Sequence, residues 1–220
     1  MKRLIIICEG PTEYQFSNQS LRPHFLSKEI NISTPYPKWS GGGDIDWNKL
    51  KVDINLHLKS DRKAFVTTFI DLYGLSKPSN YPGWEEAEKA KGNIFKKVEV
   101  LEKAMLESID DDLRYRFIPN FVIHEFEGLL FNDISFFDDL LELNEYKDRT
   151  KLISTIDRYV NPELINDSPQ TAPSKRLGNH LLKSYVKTDL GVRLALNIGL
   201  NNIRAKCLHF NEWITKLEDI

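Results

Sequence analysis

The chain has 220 residues, 41% hydrophobic and 28% charged, with a net charge of -2 and two cysteines. That length suits one domain, or one domain with a helical extension, and supplies a core without disulfide staples. The near-neutral balance argues against a generic nucleic-acid coat, which carries a large positive excess, but leaves room for an enzyme that grips nucleic acid locally.

Cys8 and Cys207 lie far apart in apolar surroundings and read as reduced, buried thiols. No CxxC or Cys/His cluster points to zinc. The opening "MKRLIIICEG" is too short for a signal-peptide core and ends in an acid. No stretch approaches the roughly 18 apolar residues of a membrane span. A cytoplasmic location without membrane association is the expectation.

In chain order, "RLIIIC" reads as a short buried strand, followed by helical spacing over 12–26. "INIST" is a second strand, and "YPKWSGGGD" an open loop that could close over a substrate. Helical periodicity returns over 45–58. "AFVTTFID" is a third strand, rich in β-branched and aromatic residues. The loop "YGLSKPSNYPG" leads to one long charged helix over 84–108. "RFIPNFVIH" is a fourth strand, with Pro119 marking an irregular start or an edge. From Glu125 onward the pattern is helical only, through "DISFFDDLLEL", "RTKLISTIDRYV", "SKRLGNHLLKSYVK" and "NNIRAKCLHFNEWITKL".

Strands separated by helices predict an α/β fold with a parallel sheet. The near-continuous apolar strands suit a sheet covered on both faces. The expected division is an α/β domain over 1–132 and a helical C-terminal part over 133–220, packed on it. The loop at 161–175 is the best linker candidate by composition.

In such a sheet, ligands bind beyond the carboxyl ends of the strands. Acids stand there after three different strands: Glu9, Asp71, and the pair Glu125 and Glu127 in "HEFE". A lone acid at a strand end is commonly a helix cap or a solvated loop residue. Carboxylates that converge repel one another unless a cation sits among them, and hard oxygen donors favour magnesium, manganese or calcium. Magnesium usually bridges to phosphates, so phosphoryl transfer or phosphodiester cleavage is the chemistry implied. If "HEFE" is extended, Glu125 and Glu127 point the same way; if a helix starts at His124, only one faces the metal.

Gly10 allows a tight turn or a close phosphate approach, and Pro11 suits a helix first turn. Glu13 is open between first-turn electrostatics and a metal or general-base role. His124 is either a general base or a packed, capping residue. Ser174, Lys175 and Arg176 stand at an expected helix start that suits phosphate, with Lys187 and Arg204 further on, although surface charge is the commoner reading. No segment carries a P-loop, so the chain is not itself a P-loop ATPase.

"IIICEGPTEYQF", "FIDLYG" and "HEFEGLLF", in this order at these strand ends, resemble the Toprim fold of primases, topoisomerases, small ribosomal-RNA maturases and the overcoming-lysogenization-defect (OLD) nucleases. The pattern is most similar to a bacterial family of Toprim-like proteins of unknown function. These are often encoded beside an ATPase and suspected of a role in phage defence. "TAPSKRL", "YVKTDLG" and "IGLNNIRAKCLHFNEWITKL" extend the resemblance over nearly the whole chain.

The resemblance implies a Toprim-like, Rossmann-like sheet. It assigns Glu9 to the Toprim glutamate, a metal ligand or general acid/base, and Asp71 to the first aspartate of the Asp-x-Asp pair. Tyr73 stands where the second aspartate would be, and Glu125 or Glu127 is the candidate to replace it.

The leading expectation is a magnesium- or manganese-dependent nuclease acting on DNA or RNA. Glu9, Asp71, Glu125 and Glu127 would hold the metal, and Gly10, Ser174, Lys175 and Arg176 would meet phosphate. A separate AAA- or ABC-type ATPase and a second copy of the chain are the protein partners this reading allows. The alternative is a non-catalytic or conditionally active regulatory or sensor partner of such an ATPase. A small-molecule phosphotransfer enzyme is a third reading.

Overall fold

The structure, a computed structural model, describes residues 1–36, 45–73, 75, 79–90, 92–165 and 169–220. The expected loop "WSGGGD" at 39–44 lies outside them. The described residues form two compact units, Met1–Ile123 with Trp213–Ile220, and His124–Glu212.

The first unit is built on a parallel sheet of β1 (Lys2–Cys8), β2 (Ile30–Ser33), β3 (Ala64–Asp71), β4 (Phe117–Ile118) and β5 (Phe121–Val122). The order is β2-β1-β3-β4, and β5 pairs with β3 further along the same edge. Every pairing is parallel, with Leu4 beside both Ile32 and Phe65. The expected α/β class with a helix-flanked parallel sheet is what forms.

Strand alternation sends Ile7, Val66 and Ile70 into a core with Leu50 and Ile54 of α3 (Trp47–Ser60) and Val98, Leu101 and Met105 of α5 (Ile94–Glu107). The opposite face carries Phe69, whose ring centroid lies 6.1 Å from Phe16 and 5.0 Å from Trp213. Phe16 ends α1 (Pro11–Phe16), which runs through a π-turn at Ser17–Leu21 into α2 (Arg22–Leu26). Both sheet faces are therefore covered, as the continuous apolar strands require.

Two expectations are corrected here. The single helix over 84–108 is two, α4 (Trp84–Lys89) and α5, with α6 (Asp111–Arg114) following. Gly92 takes a left-handed φ of 81° and Asn93 caps α5, accepting the Lys96 N–H at 3.0 Å. The fourth strand is also split, because Pro119 has no N–H for the ladder. Thr68 bridges the gap: its hydroxyl donates to Asn120 O (2.7 Å) and accepts from Asn120 N (3.0 Å).

The second unit is helical. It contains a 3-10 helix at Phe126–Leu130, α7 (Ile134–Asp138), α8 (Arg149–Arg158), α9 (Pro173–Lys175), α10 (Val192–Ile198) and α11 (Leu200–Lys206). The segment 174–187 is helical only to Leu181. Leu182 then turns extended and forms an antiparallel bridge with Tyr146. The last helix, α12 (Leu208–Glu218), opens here, and from Trp213 its residues belong to the first unit.

The chain thus divides after Ile123, not at 132 or within 161–175. Phe126, Leu129 and Leu130 of the "HEFEGLLF" stretch are wholly buried and belong to the helical unit.

Candidate active site

The chain leaves β1 outward to β2, then returns past β1 to β3, so the sheet's topological switch point lies between β1 and β3. Glu9 is the first residue beyond β1, and Asp71 is the last of β3. The geometry follows from the parallel ladder. Cys8 is registered with Phe69, and Glu9 N donates to Phe69 O at 3.0 Å. Continued, that ladder would take Asp71 N–H to the Glu9 main-chain carbonyl and the next N–H, that of residue 11, to Asp71 O. Residue 11 is a proline and has no N–H. Pairing stops, and Glu9 Oε2 takes the Asp71 N–H at 2.7 Å instead.

Pro11 therefore ends the sheet pairing and opens α1. Gly10 caps that helix in extended backbone, φ -143° and ψ -175°, so the tight turn expected of it does not depend on glycine's special conformations. Its N–H, expected to face phosphate, is held by Glu13 Oε2 at 3.0 Å. Glu13 is buried and reaches back onto the helix start, as a first-turn acid does. Burial pushes the neighbouring Cys8 thiol well up, against the pull of Ser17 and with a push from Glu13. Cys8 is thus an unreactive thiol. Asp71 is buried, and Glu9, Gly10 and Tyr73 are half-buried.

In the second unit, His124 holds a left-handed φ of 64°. Burial lowers its pKa to about 4, so the ring is neutral at neutral pH. Glu125 is extended, φ -138° and ψ 154°, and precedes the 3-10 helix in which Glu127 sits. The two acids do not share a strand face. Glu125 accepts from Ser174 N (2.9 Å) and Ser174 Oγ (3.0 Å). The helix start expected to bind phosphate through Ser174 thus meets a carboxylate of its own chain.

Glu127 is 0% exposed, and Lys187 Nζ lies 3.2 Å from its Oε2. Burial raises the Glu127 pKa, Lys187 opposes this and Glu125 adds to it. Lys175 is exposed, whereas Arg176 Nε donates to Thr171 O at 2.7 Å.

A family profile, the domain of unknown function DUF4276, matches residues 8–218. The chain belongs to the DUF4276 family. No curated protein and no solved structure matches it. The stretch covered by the DUF4276 profile includes every residue singled out above.

Among the described residues of this DUF4276 chain, no group of three or more His, Cys, Asp or Glu side chains is placed to hold a metal. Glu9 and Asp71 meet in the first unit. Glu125 and Glu127 lie in the second, engaged with Ser174 and Lys187. Magnesium, however, takes one or two protein carboxylates and completes its shell with water and phosphate oxygens. A pair of hard donors on adjacent strand ends fits that requirement.

Two relationships had no local signal in the sequence. Lys187 reaches Glu127 across sixty residues, and Glu163 accepts the N–H groups of His209 and Phe210, each at 2.9 Å, at the start of α12.

Proposed function

We propose that this chain is a divalent-metal-dependent nuclease of the Toprim type, cleaving nucleic-acid phosphodiesters. One observation carries the reading: Glu9 and Asp71 are joined at the switch point of a parallel sheet. Glu9 and Asp71 would hold magnesium or manganese, which supplies charge neutralisation at the phosphate oxygens when bound. Glu13 keeps the Gly10 turn in place beneath them. The Glu9 carboxylate is oriented by its bond to Asp71 N–H, so its position is set before a substrate arrives. A separate AAA- or ABC-type ATPase as partner, and a role in phage defence, belong to this same proposal.

A second reading, a regulatory or sensor partner of such an ATPase, draws on Tyr73 at the position of the second Toprim aspartate. Incubating the purified chain with plasmid, single-stranded DNA and RNA, each with Mg²⁺ or Mn²⁺, separates the two. The nuclease reading expects cleavage that chelation abolishes and that Glu9→Gln and Asp71→Asn each remove. Cleavage surviving both substitutions takes these residues out of the site. A protein without metal affinity in calorimetry is the result expected of the regulatory partner.

A further inference from the structure

A row of side chains leads away from the Gly10 turn along α1 and α2. Tyr14 closes the first turn of α1, its N–H donating to Gly10 O at 3.1 Å. Asn18 Nδ2 donates to Tyr14 O at 2.8 Å, and Asn18 Oδ1 accepts from Arg22 Nε (3.1 Å) and Nη2 (2.5 Å). The π-turn at Ser17–Leu21 carries the row from one helix to the next. Arg22 Nη1 donates to Ile32 O at 2.8 Å, which ties the row to β2. Three residues beyond β2, Tyr36 meets Tyr14 edge to face, with ring centroids 5.4 Å apart and planes at 64°.

Two groups in this row are left over from packing and ion pairing. Tyr36 is 64% exposed, so a large aromatic ring stands in water beyond the carboxyl end of β2. Arg22 donates only to neutral acceptors, and among the described residues no carboxylate pairs with it. A guanidinium has five N–H donors, and these three bonds leave two of them open. An exposed ring beside a cation without a counter-ion suits an unpaired base and its phosphate. The ring stacks on the base, and the guanidinium meets the backbone charge. A duplex keeps its bases stacked on one another and is gripped through many phosphates. Between Glu9 and Pro23, Arg22 is the one cationic residue, too little charge for such a grip.

We propose that Tyr14, Tyr36 and Arg22 form a binding row for single-stranded nucleic acid, which leads an unpaired strand to the turn that follows Glu9. This deepens the nuclease reading given above by naming single strands as its substrate, and it rests on that reading for the cutting step alone. Tyr36 stacks on a base, Tyr14 supports the Tyr36 ring, and Arg22 pairs with a phosphate. Every base has a π-face, so the row accepts strands without sequence preference.

The test is fluorescence anisotropy of the full-length chain in the presence of chelator, which stops metal-dependent cleavage. The probes are an oligothymidylate of about twelve residues, within the usual span of single-strand sites, a duplex of the same length, and an abasic strand that keeps the phosphates without the bases. The oligothymidylate is expected to bind about tenfold more tightly than either of the others. Tyr36→Ala should weaken that binding about tenfold and, because the ring is exposed, leave the melting temperature unchanged. Tyr36→Phe should keep the wild-type affinity, since stacking uses the ring and not the hydroxyl. Arg22→Gln should lower the slope of log affinity against log salt by about 0.7, the loss of one phosphate contact. Abasic or duplex binding as tight as the oligothymidylate overturns the proposal, and so does a Tyr36→Ala chain that binds like the wild type. So does a chain that binds none of the three probes. If Arg22→Gln fails to fold, the probe comparison and the Tyr36 variants decide. Cleavage with Mg²⁺ or Mn²⁺ is scored separately: a chain that binds single strands through Tyr36 but cuts nothing keeps this row and loses the nuclease reading.

Discussion

Glu9 Oε2 accepts the main-chain N–H of Asp71 at 2.7 Å, one side chain completing a ladder that Pro11 cuts short. The carboxylate therefore has a structural duty besides any chemistry, and substitutions can divide the two. Glu9→Gln retains an oxygen acceptor and should cost no more than about 1 kcal/mol. Glu9→Ala strands a buried donor and should cost about 1–3 kcal/mol. Both should lose Mn²⁺ affinity, because an amide is a poorer hard ligand than a carboxylate. Urea unfolding paired with calorimetric titration measures each half. A Gln variant that binds Mn²⁺ as tightly as the wild type removes Glu9 from the metal site.

Two glycines beside the split helix offer a controlled comparison. Gly83 (φ 75°) and Gly92 (φ 81°) both hold left-handed backbone. A Cβ at Gly83 would stand 2.7 Å from Ala104 Cβ, whereas at Gly92 it would meet nothing within 4 Å. Gly92→Ala should cost about 1–2 kcal/mol from backbone strain alone. Gly83→Ala should cost that and about 1–3 kcal/mol more from overpacking. Equal losses in the two melting temperatures would mean that α4 and α5 move apart to accept the methyl group.

The same region shows what the sequence could and could not reveal. The strands stand out because both faces of the sheet are covered, leaving runs such as "LIIIC" and "AFVTTFI" with almost no polar interruption. Glu9 and Asp71 were legible as strand-end acids, since turn chemistry follows each immediately. Gly92 and Asn93 are an ordinary helix stop and start, yet the charged periodicity on either side of them reads straight through. The division after Ile123 had no compositional mark, because Trp213 returns to the first unit from 146 residues beyond its partner Thr67. Glu127 could be named as an acid, but no spacing rule places Lys187 beside it.

That long return is itself testable. Trp213 Nε1 donates to Thr67 Oγ1 at 2.8 Å, with the indole 2% and the threonine 0% exposed. Trp213→Phe removes the donor and leaves a void beside Phe69, at a cost of about 2–4 kcal/mol. Thr67→Val keeps the shape but buries an unpaired indole N–H, at about 1–3 kcal/mol. The double variant should cost less than the sum of the two, with a coupling of about 1 kcal/mol. Strict additivity in urea unfolding would show that the bond contributes nothing beyond packing.

Glu163 gives a pH dependence of definite sign. It is 2% exposed, and burial raises its pKa above the ordinary 4.5, against the pull of the His209 and Phe210 N–H groups. In the window from 4.5 up to the raised value, the folded chain holds a proton that the unfolded chain has released. Its contribution to stability is therefore fully present below pH 4.5 and is lost as pH rises through the folded-state pKa. Glu163→Gln stays neutral throughout and keeps one acceptor for the α12 start. Unfolding free energies measured from pH 4 to 8 should show the wild type losing ground to the Gln variant as pH rises, then running parallel to it. Other titrating groups cancel in that difference. A flat difference would mean that the two N–H bonds offset burial and leave the pKa unshifted, and one that grows in favour of the wild type would mean that they outweigh it.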